Sequence, residues 1–182
     1  LIRLCLEHPR EVHQALRNIA STMAKYCENM RKAGASGVFY AALGMARTGY
    51  FTPEEWQTFC KPYDMIAMEP IRDLPNLVHT CGIYGNPEWF IDYPCRVIHW
   101  AASAPGNPPM KGSTGWLKDK IAMGGCDERP FGQDKAGLID LMCGRTLADM
   151  KGVPFLMAPE CSVSPKVLDS ELRAFRDSVE KY

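Results

Sequence analysis

The sequence lacks a surplus of charge of either sign: its 182 residues carry 21 Lys and Arg against 21 Asp and Glu. Balanced charge produces no overall field toward nucleic acid or an anionic membrane surface, so neither is an expected partner. The chain also lacks an uninterrupted apolar run of the roughly 18 to 20 residues that a membrane-crossing helix needs. Internal repeats and low-complexity tracts are missing too. What is left is an ordinary globular composition, 46% hydrophobic.

Cysteine is plentiful, but closely paired spacings are lacking among the eight cysteines. A chain of this length with a normal apolar fraction can bury a core without disulfide bonds. We therefore expect most of these cysteines to be reduced and buried as small hydrophobic groups, in a cytoplasmic protein.

Helices are predicted wherever apolar residues recur at intervals of three and four. The longest such segment runs from Pro9 to Ala33. Thr52, followed by Pro53 and Glu55, predicts the capped start of a second helix that breaks near Pro62. Further helices are predicted at 87–91 and 136–150, and a C-terminal helix is predicted to start near Asp169 or Ser170.

Short apolar runs predict five strands between these helices, at 37–41, 77–81, 96–100, 120–125 and 155–158. Continuous apolar strands that alternate with helices indicate a parallel sheet covered on both faces. An open doubly wound sheet and part of a (β/α)8 barrel both fit this pattern. Eight βα units take about 250 residues, so five units would leave a barrel open, with edges that need more strands or a second copy of the chain.

Three residues at predicted strand ends form the strongest candidate site. His79 and Cys81 stand at positions i and i+2, which share one face of an extended strand. Cys161 ends a second apolar run. Two thiolates and an imidazole are typical zinc ligands, and three protein ligands leave a catalytic position open. Buried packing of the cysteines is the plain alternative, and a structural zinc with His99 as fourth ligand is another.

Two further residues are candidates for catalysis, Tyr40 at the end of the first strand and Asp127 after the Gly124-Gly125 pair. Each also has a structural interpretation. Tyr40 suits a core tyrosine with a satisfied hydroxyl, and Asp127 suits a cap. For Arg47 the alternatives are contact with a substrate anion or simple solvation.

Five pieces of the sequence, taken in order, resemble a known family: 33–38, 51–63, 79–82, 124–127 and 158–161. They are similar to the C-terminal half to two thirds of the uroporphyrinogen decarboxylase superfamily. The His-x-Cys followed by a distant Cys looks like its branch of cobalamin-dependent methyltransferases, of the methylcobalamin:coenzyme M type. One departure is Glu160, which stands before Cys161 where the family has a glycine-containing turn. Another is that the strand ending at His99 has no carboxylate at its end.

The resemblance implies a (β/α)8 barrel, with residues 1–182 as a single domain that lacks the N-terminal part of the barrel. It implies that His79, Cys81 and Cys161 bind Zn²⁺. It also implies that a methyl group passes from a methyl-corrinoid, held on a separate corrinoid protein, to a thiol or similar small acceptor. Two alternatives remain within the same resemblance: a metal-free carboxy-lyase acting on a tetrapyrrole, and a non-catalytic corrinoid-binding module.

Overall fold

A computed structural model describes residues 2–182 and contains one five-stranded, entirely parallel sheet. Its strands lie side by side in the order of the sequence, β1-β2-β3-β4-β5. A doubly wound sheet would reverse its strand order at a switch point, so this sheet corresponds to part of a barrel, as predicted. The strands are β1 (Phe39–Ala41), β2 (Leu77–His79), β3 (Val97–His99), β4 (Ile121–Cys126) and β5 (Phe155–Pro159).

The helices mostly occupy the predicted segments. They are α1 (Ile2–Glu7), α2 (Pro9–Lys32), α3 (Pro53–Phe59), α4 (Lys61–Met68), α5 (Thr114–Leu117), α6 (Ala136–Asp149) and α7 (Asp169–Lys181). The segment predicted at 87–91 is a single 3-10 turn, Pro87–Phe90, and the short helices α1 and α5 were not foreseen. Such short helices carry too few residues for a periodic signal.

The predicted capping box at the start of α3 is present. The Thr52 backbone N–H donates to the Glu55 carboxylate at 2.8 Å, and the Glu55 N–H donates to Thr52 Oγ1 at 3.2 Å. The break comes at Cys60, whose backbone leaves helical geometry between α3 and α4. Pro62 then lies in the first turn of α4, where a missing N–H costs nothing.

The register of the sheet decides which side chains share a face. Val78 and Ile98 pair with each other, are fully buried and belong to the main core. His79 and His99 also pair, one position further along, and therefore lie on the opposite face. On that second face Phe39 and Leu156 stay half exposed at the two edges. The expectation of cover on both faces is thus corrected, because this face, the concave side of the curved sheet, is only partly covered.

Within residues 2–182, no helix is both long enough and apolar enough to cross a membrane.

Candidate metal centre

The three predicted ligands meet at the carboxyl edge of the sheet. The possible ligand atoms of His79, Cys81 and Cys161 all lie within 4.8 Å of one another, and the two Sγ atoms are 3.7 Å apart. On a flat sheet, strands β2 and β5 would lie about 14 Å apart, at about 4.8 Å for each neighbouring pair. Curvature of the sheet therefore assembles this cluster.

The chemistry of the cluster fits zinc. His79 is 5% exposed, and its Nδ1 has no hydrogen-bond partner among the described residues. Cys81 and Cys161 are half-buried and unpaired by disulfide. An imidazole and two thiolates supply three ligands of a tetrahedral site, and the partial exposure of the two cysteines leaves room for a fourth from solvent or substrate. Among residues 2–182, this is the single group of three such side chains.

Burial sets the protonation of His79 and Cys81. It lowers the pKa of His79 to about 4, with a smaller contribution from neighbouring His99, so the imidazole is neutral at pH 7. Burial also raises the pKa of Cys81, the contact with Cys161 adds to this rise, and Arg47 opposes it. The metal-free site thus holds a neutral imidazole and protonated Cys81, and metal binding must release the thiol proton.

Arg47 supports the backbone at Cys81 and is not simply solvated. Its Nη2 donates to the Cys81 carbonyl at 3.1 Å, and its Nε is buried without a hydrogen-bond partner within residues 2–182. Gly82 makes this approach feasible, because a Cβ there would lie 2.3 Å from Nη2. Its backbone also has a positive φ of 77°, which favours glycine.

Asn107 is a structural residue that the sequence did not reveal. Its side chain donates to the carbonyls of Gly82 and Ala101, each at 2.8 Å, and accepts from the Gly85 N–H at 2.6 Å. These bonds hold the loop after Cys81 against the loop after β3. Tyr84, in the same loop, has a left-handed backbone with a φ of 51°. Asparagine in a proline- and glycine-rich segment is a common turn residue, so no sequence signal separated this one.

His99 does not join the cluster as a fourth ligand. Its Nε2 donates to the Pro159 carbonyl at 2.8 Å, and its buried Nδ1 has no partner in the part of the chain that the structure describes. Its ring lies 4.6 Å from that of His79, measured between centroids. The geometry therefore gives no support to a structural zinc held by four protein ligands.

Tyr40 is not brought to the cluster, which corrects the expectation that it faces the site. Tyr40 pairs with Val78 and so points toward the helices, on the face opposite His79. Its hydroxyl donates to Asp64 at 2.6 Å, and Asp64 accepts a second hydroxyl, from Tyr93, at 2.7 Å. Burial raises the pKa of Asp64, and the two tyrosine hydrogen bonds oppose that rise.

Asp127 follows the end of β4, at the same edge of the sheet as the cluster but outside it. Its carboxylate accepts from the Arg129 side chain, at 2.8 Å to Oδ1, and from the Arg129 backbone N–H at 2.9 Å. These contacts are those of a turn cap with an ion pair. A catalytic role for Asp127 stays a prediction.

Glu160 was noted in the sequence only as a departure from the family pattern. It is 2% exposed, and its carboxylate accepts from the Ser103 backbone N–H at 3.0 and 3.1 Å and from the Ser103 hydroxyl. Burial raises its pKa, while the bonds from Ser103 oppose the rise. The partner lies 57 residues away, so local pattern could not reveal it.

The chain is similar to known proteins in both sequence and fold. The family model described as uroporphyrinogen decarboxylase (URO-D) matches residues 1–182. The solved structure of a methyltransferase from Methanosarcina mazei is similar, with a TM-score of 0.79 and 14% sequence identity, over 98% of this chain and 52% of that one. No curated protein matches the chain. The chain thus spans about half the length of that structure, with which it shares the fold. Because the family model covers it from end to end, the chain belongs to the uroporphyrinogen decarboxylase family.

Proposed function

We propose that this chain is part of a zinc-dependent methyltransferase. It would move a methyl group from a methyl-corrinoid, carried by a partner corrinoid protein, to a thiol or similar small acceptor. The observation that carries the proposal is the meeting of His79, Cys81 and Cys161 within 4.8 Å at the carboxyl edge of the sheet. Membership of the family and the likeness to a methyltransferase structure support an enzyme of this general kind.

The three side chains would hold Zn²⁺ through one nitrogen and two sulfurs. Bound zinc supplies a Lewis acid that lowers the pKa of a coordinating thiol, so that the acceptor reacts as a thiolate at neutral pH. His79 contributes a neutral ligand held by burial, and the half-buried cysteines leave the approach open from the edge of the sheet.

In the transfer itself, the acceptor sulfur provides the electron pair of the new carbon–sulfur bond. A methyl-corrinoid would supply the methyl group and keep the electron pair of the carbon–cobalt bond, and the acceptor's proton would pass to solvent. The chain's contribution is to hold the acceptor at the carboxyl edge in a fixed orientation toward the methyl donor. A cytoplasmic location is part of the proposal, because a reducing compartment keeps thiol ligands available.

A metal-free lyase acting on a tetrapyrrole is the second candidate, since the matching family model carries the decarboxylase description. That function gives no reason for two thiols and an imidazole to converge. A non-catalytic corrinoid-binding module would bind corrinoid tightly without turnover.

The test measures zinc content and methyl transfer from methylcobalamin to a thiol, in the intact protein and in His79→Ala and Cys161→Ala variants. We expect about one zinc per protein, lost in both variants together with methyl transfer. Cys95→Ala is the matched control, because Cys95 is a buried cysteine outside the cluster. Absence of stoichiometric zinc, or release of carbon dioxide from uroporphyrinogen that survives in both variants, would overturn the proposal.

A further inference from the structure

The cluster depends on how strongly the sheet curves between β2 and β5. His79 ends β2, Cys161 follows β5, and two strands separate them. Backbone hydrogen bonds join only neighbouring strands, so they do not link these two ends directly. Contacts that skip a strand on the concave face can hold the curvature, and the structure shows two of them.

His99 makes the first of these contacts. On one side its ring packs against His79, with centroids 4.6 Å apart. On the other side its Nε2 donates to the Pro159 carbonyl at 2.8 Å, two residues before Cys161. A carbonyl oxygen only accepts, so Nε2 must carry the hydrogen. One buried ring thereby connects the histidine ligand on β2 with the segment that carries the cysteine ligand after β5.

Gly124 lies on β4 beneath this connection. A Cβ at Gly124 would lie 3.7 Å from His99 Cδ2 and only 2.8 Å from the Trp100 carbonyl oxygen. The backbone there also has a positive φ of 136°. The positive φ and the close Trp100 carbonyl therefore favour glycine at this position, directly beneath the His99 ring.

Glu160 makes the second strand-skipping contact. Its buried carboxylate accepts from the N–H and hydroxyl of Ser103, in the loop after β3, so it again connects β3 with the end of β5. Glu160 directly precedes Cys161. Gly124 lies beneath this contact too, since its Cβ would be 3.8 Å from Glu160 Cγ.

We propose that His99 is a positioning residue of the metal centre, which sets the distance between His79 and Cys161 by bridging β3 to β5 over Gly124. The role rests on the metal-binding function proposed above. The role depends on the hydrogen bond that Nε2 donates to the Pro159 carbonyl, which distinguishes it from packing by the bulk of the ring.

The test compares zinc affinity, by competition with a chromophoric chelator, and the visible spectrum of the cobalt(II)-substituted protein. His99→Phe keeps a ring but loses the donor, and His99→Gln keeps a donor at the Nε2 position. We expect His99→Phe to weaken zinc binding about tenfold or more and to alter the cobalt spectrum, as loss of outer-shell support commonly does. We expect His99→Gln to stay within about threefold of the wild type.

His13→Phe is the control, because it removes a histidine hydrogen bond, to Tyr63, outside the cluster. It should change neither readout. Unchanged affinity and spectrum in His99→Phe would overturn the inference, and so would an equal loss in His99→Gln. If His99→Phe does not fold, His99→Asn replaces it, since its shorter amide cannot reach Pro159. Wild-type protein that binds no zinc or cobalt would instead overturn the metal site itself, and this role with it.

Discussion

Cys81 and Cys161 are separated by 80 residues in the sequence, and their sulfur atoms lie 3.7 Å apart. Neither sulfur takes part in a disulfide, and both are half-buried, unlike the other six cysteines, which are buried. The two sulfurs can therefore share a metal ion, and they are also close enough to be oxidised to a disulfide.

Zinc is expected to protect this pair from oxidation. In metal-free protein treated with diamide, we expect a disulfide that joins the peptides carrying Cys81 and Cys161, detected by mass spectrometry. Zinc-loaded protein should remain reduced, because a coordinated thiolate is not free to add to diamide or to attack the sulfur of the adduct, a step that releases diamide as its hydrazine. Cross-linking at the same rate with and without zinc would contradict the shared-metal interpretation.

Gly82→Ala is expected to weaken zinc binding as well as stability. The new Cβ would meet the Arg47 guanidinium, which holds the Cys81 carbonyl. Strain at the positive φ costs about 1 kcal/mol of stability in Gly82→Ala, and the same cost applies to Gly49→Ala. Gly49→Ala is the matched control, since Gly49 also has a positive φ but its Cβ would enter open space. Equal zinc affinity in both variants, measured by chelator competition, would show that Arg47 does not support the site.

Tyr40→Phe is expected to lower stability without slowing methyl transfer. Loss of the hydroxyl removes one of the two hydrogen bonds to Asp64, which should lower the free energy of unfolding by about 1–3 kcal/mol. The rate of methyl transfer should not change, because Tyr40 lies on the opposite face of the sheet from His79. Tyr93→Phe removes the other bond and should behave alike. A large fall in kcat with unchanged stability would restore a catalytic role to Tyr40.

Glu171 makes stability depend on pH in the acid range. Its carboxylate accepts backbone N–H groups from Gly132, Gln133, Lys135 and Leu168, and these bonds lower its pKa from 4.5 to about 2. Because the native state favours the charged form, the contribution is complete above about pH 4.5 and is lost as the pH falls toward 2.

Denaturant unfolding at several pH values tests this role. Glu171→Gln should be less stable than the wild type at pH 7, and the difference should shrink as the pH falls below 4.5. Glu180→Gln, an exposed change on the same helix, should leave the profile unaltered. If the stability difference between Glu171→Gln and the wild type stayed constant from pH 7 to below 4.5, the charge of the Glu171 carboxylate would not be what stabilises the contact between α7 and the segment before α6.

Much of the fold was predictable because its signals are local. The capping box at Thr52, the helix break before Pro62 and the five apolar strand segments each depend on residues a few positions apart. The placement of His79 and Cys81 on one face was predictable for the same reason, since side chains two positions apart on an extended strand point in the same direction. The orientation of Tyr40 was not, because its strand of three residues contains too little alternation to show which face it presents.

The sequence by itself determined the order of strands and helices along the chain, the identity of three potential metal ligands and the family to which the chain belongs. Only the tertiary structure decided that Cys161 meets the other two, because this depends on the curvature of the sheet across β3 and β4. It also decided that His99 and Glu160 bridge over Gly124 toward that cysteine. Contacts between residues about 60 positions apart produce no pattern in the sequence, since the distance between such residues in space is set by the packing of the whole sheet.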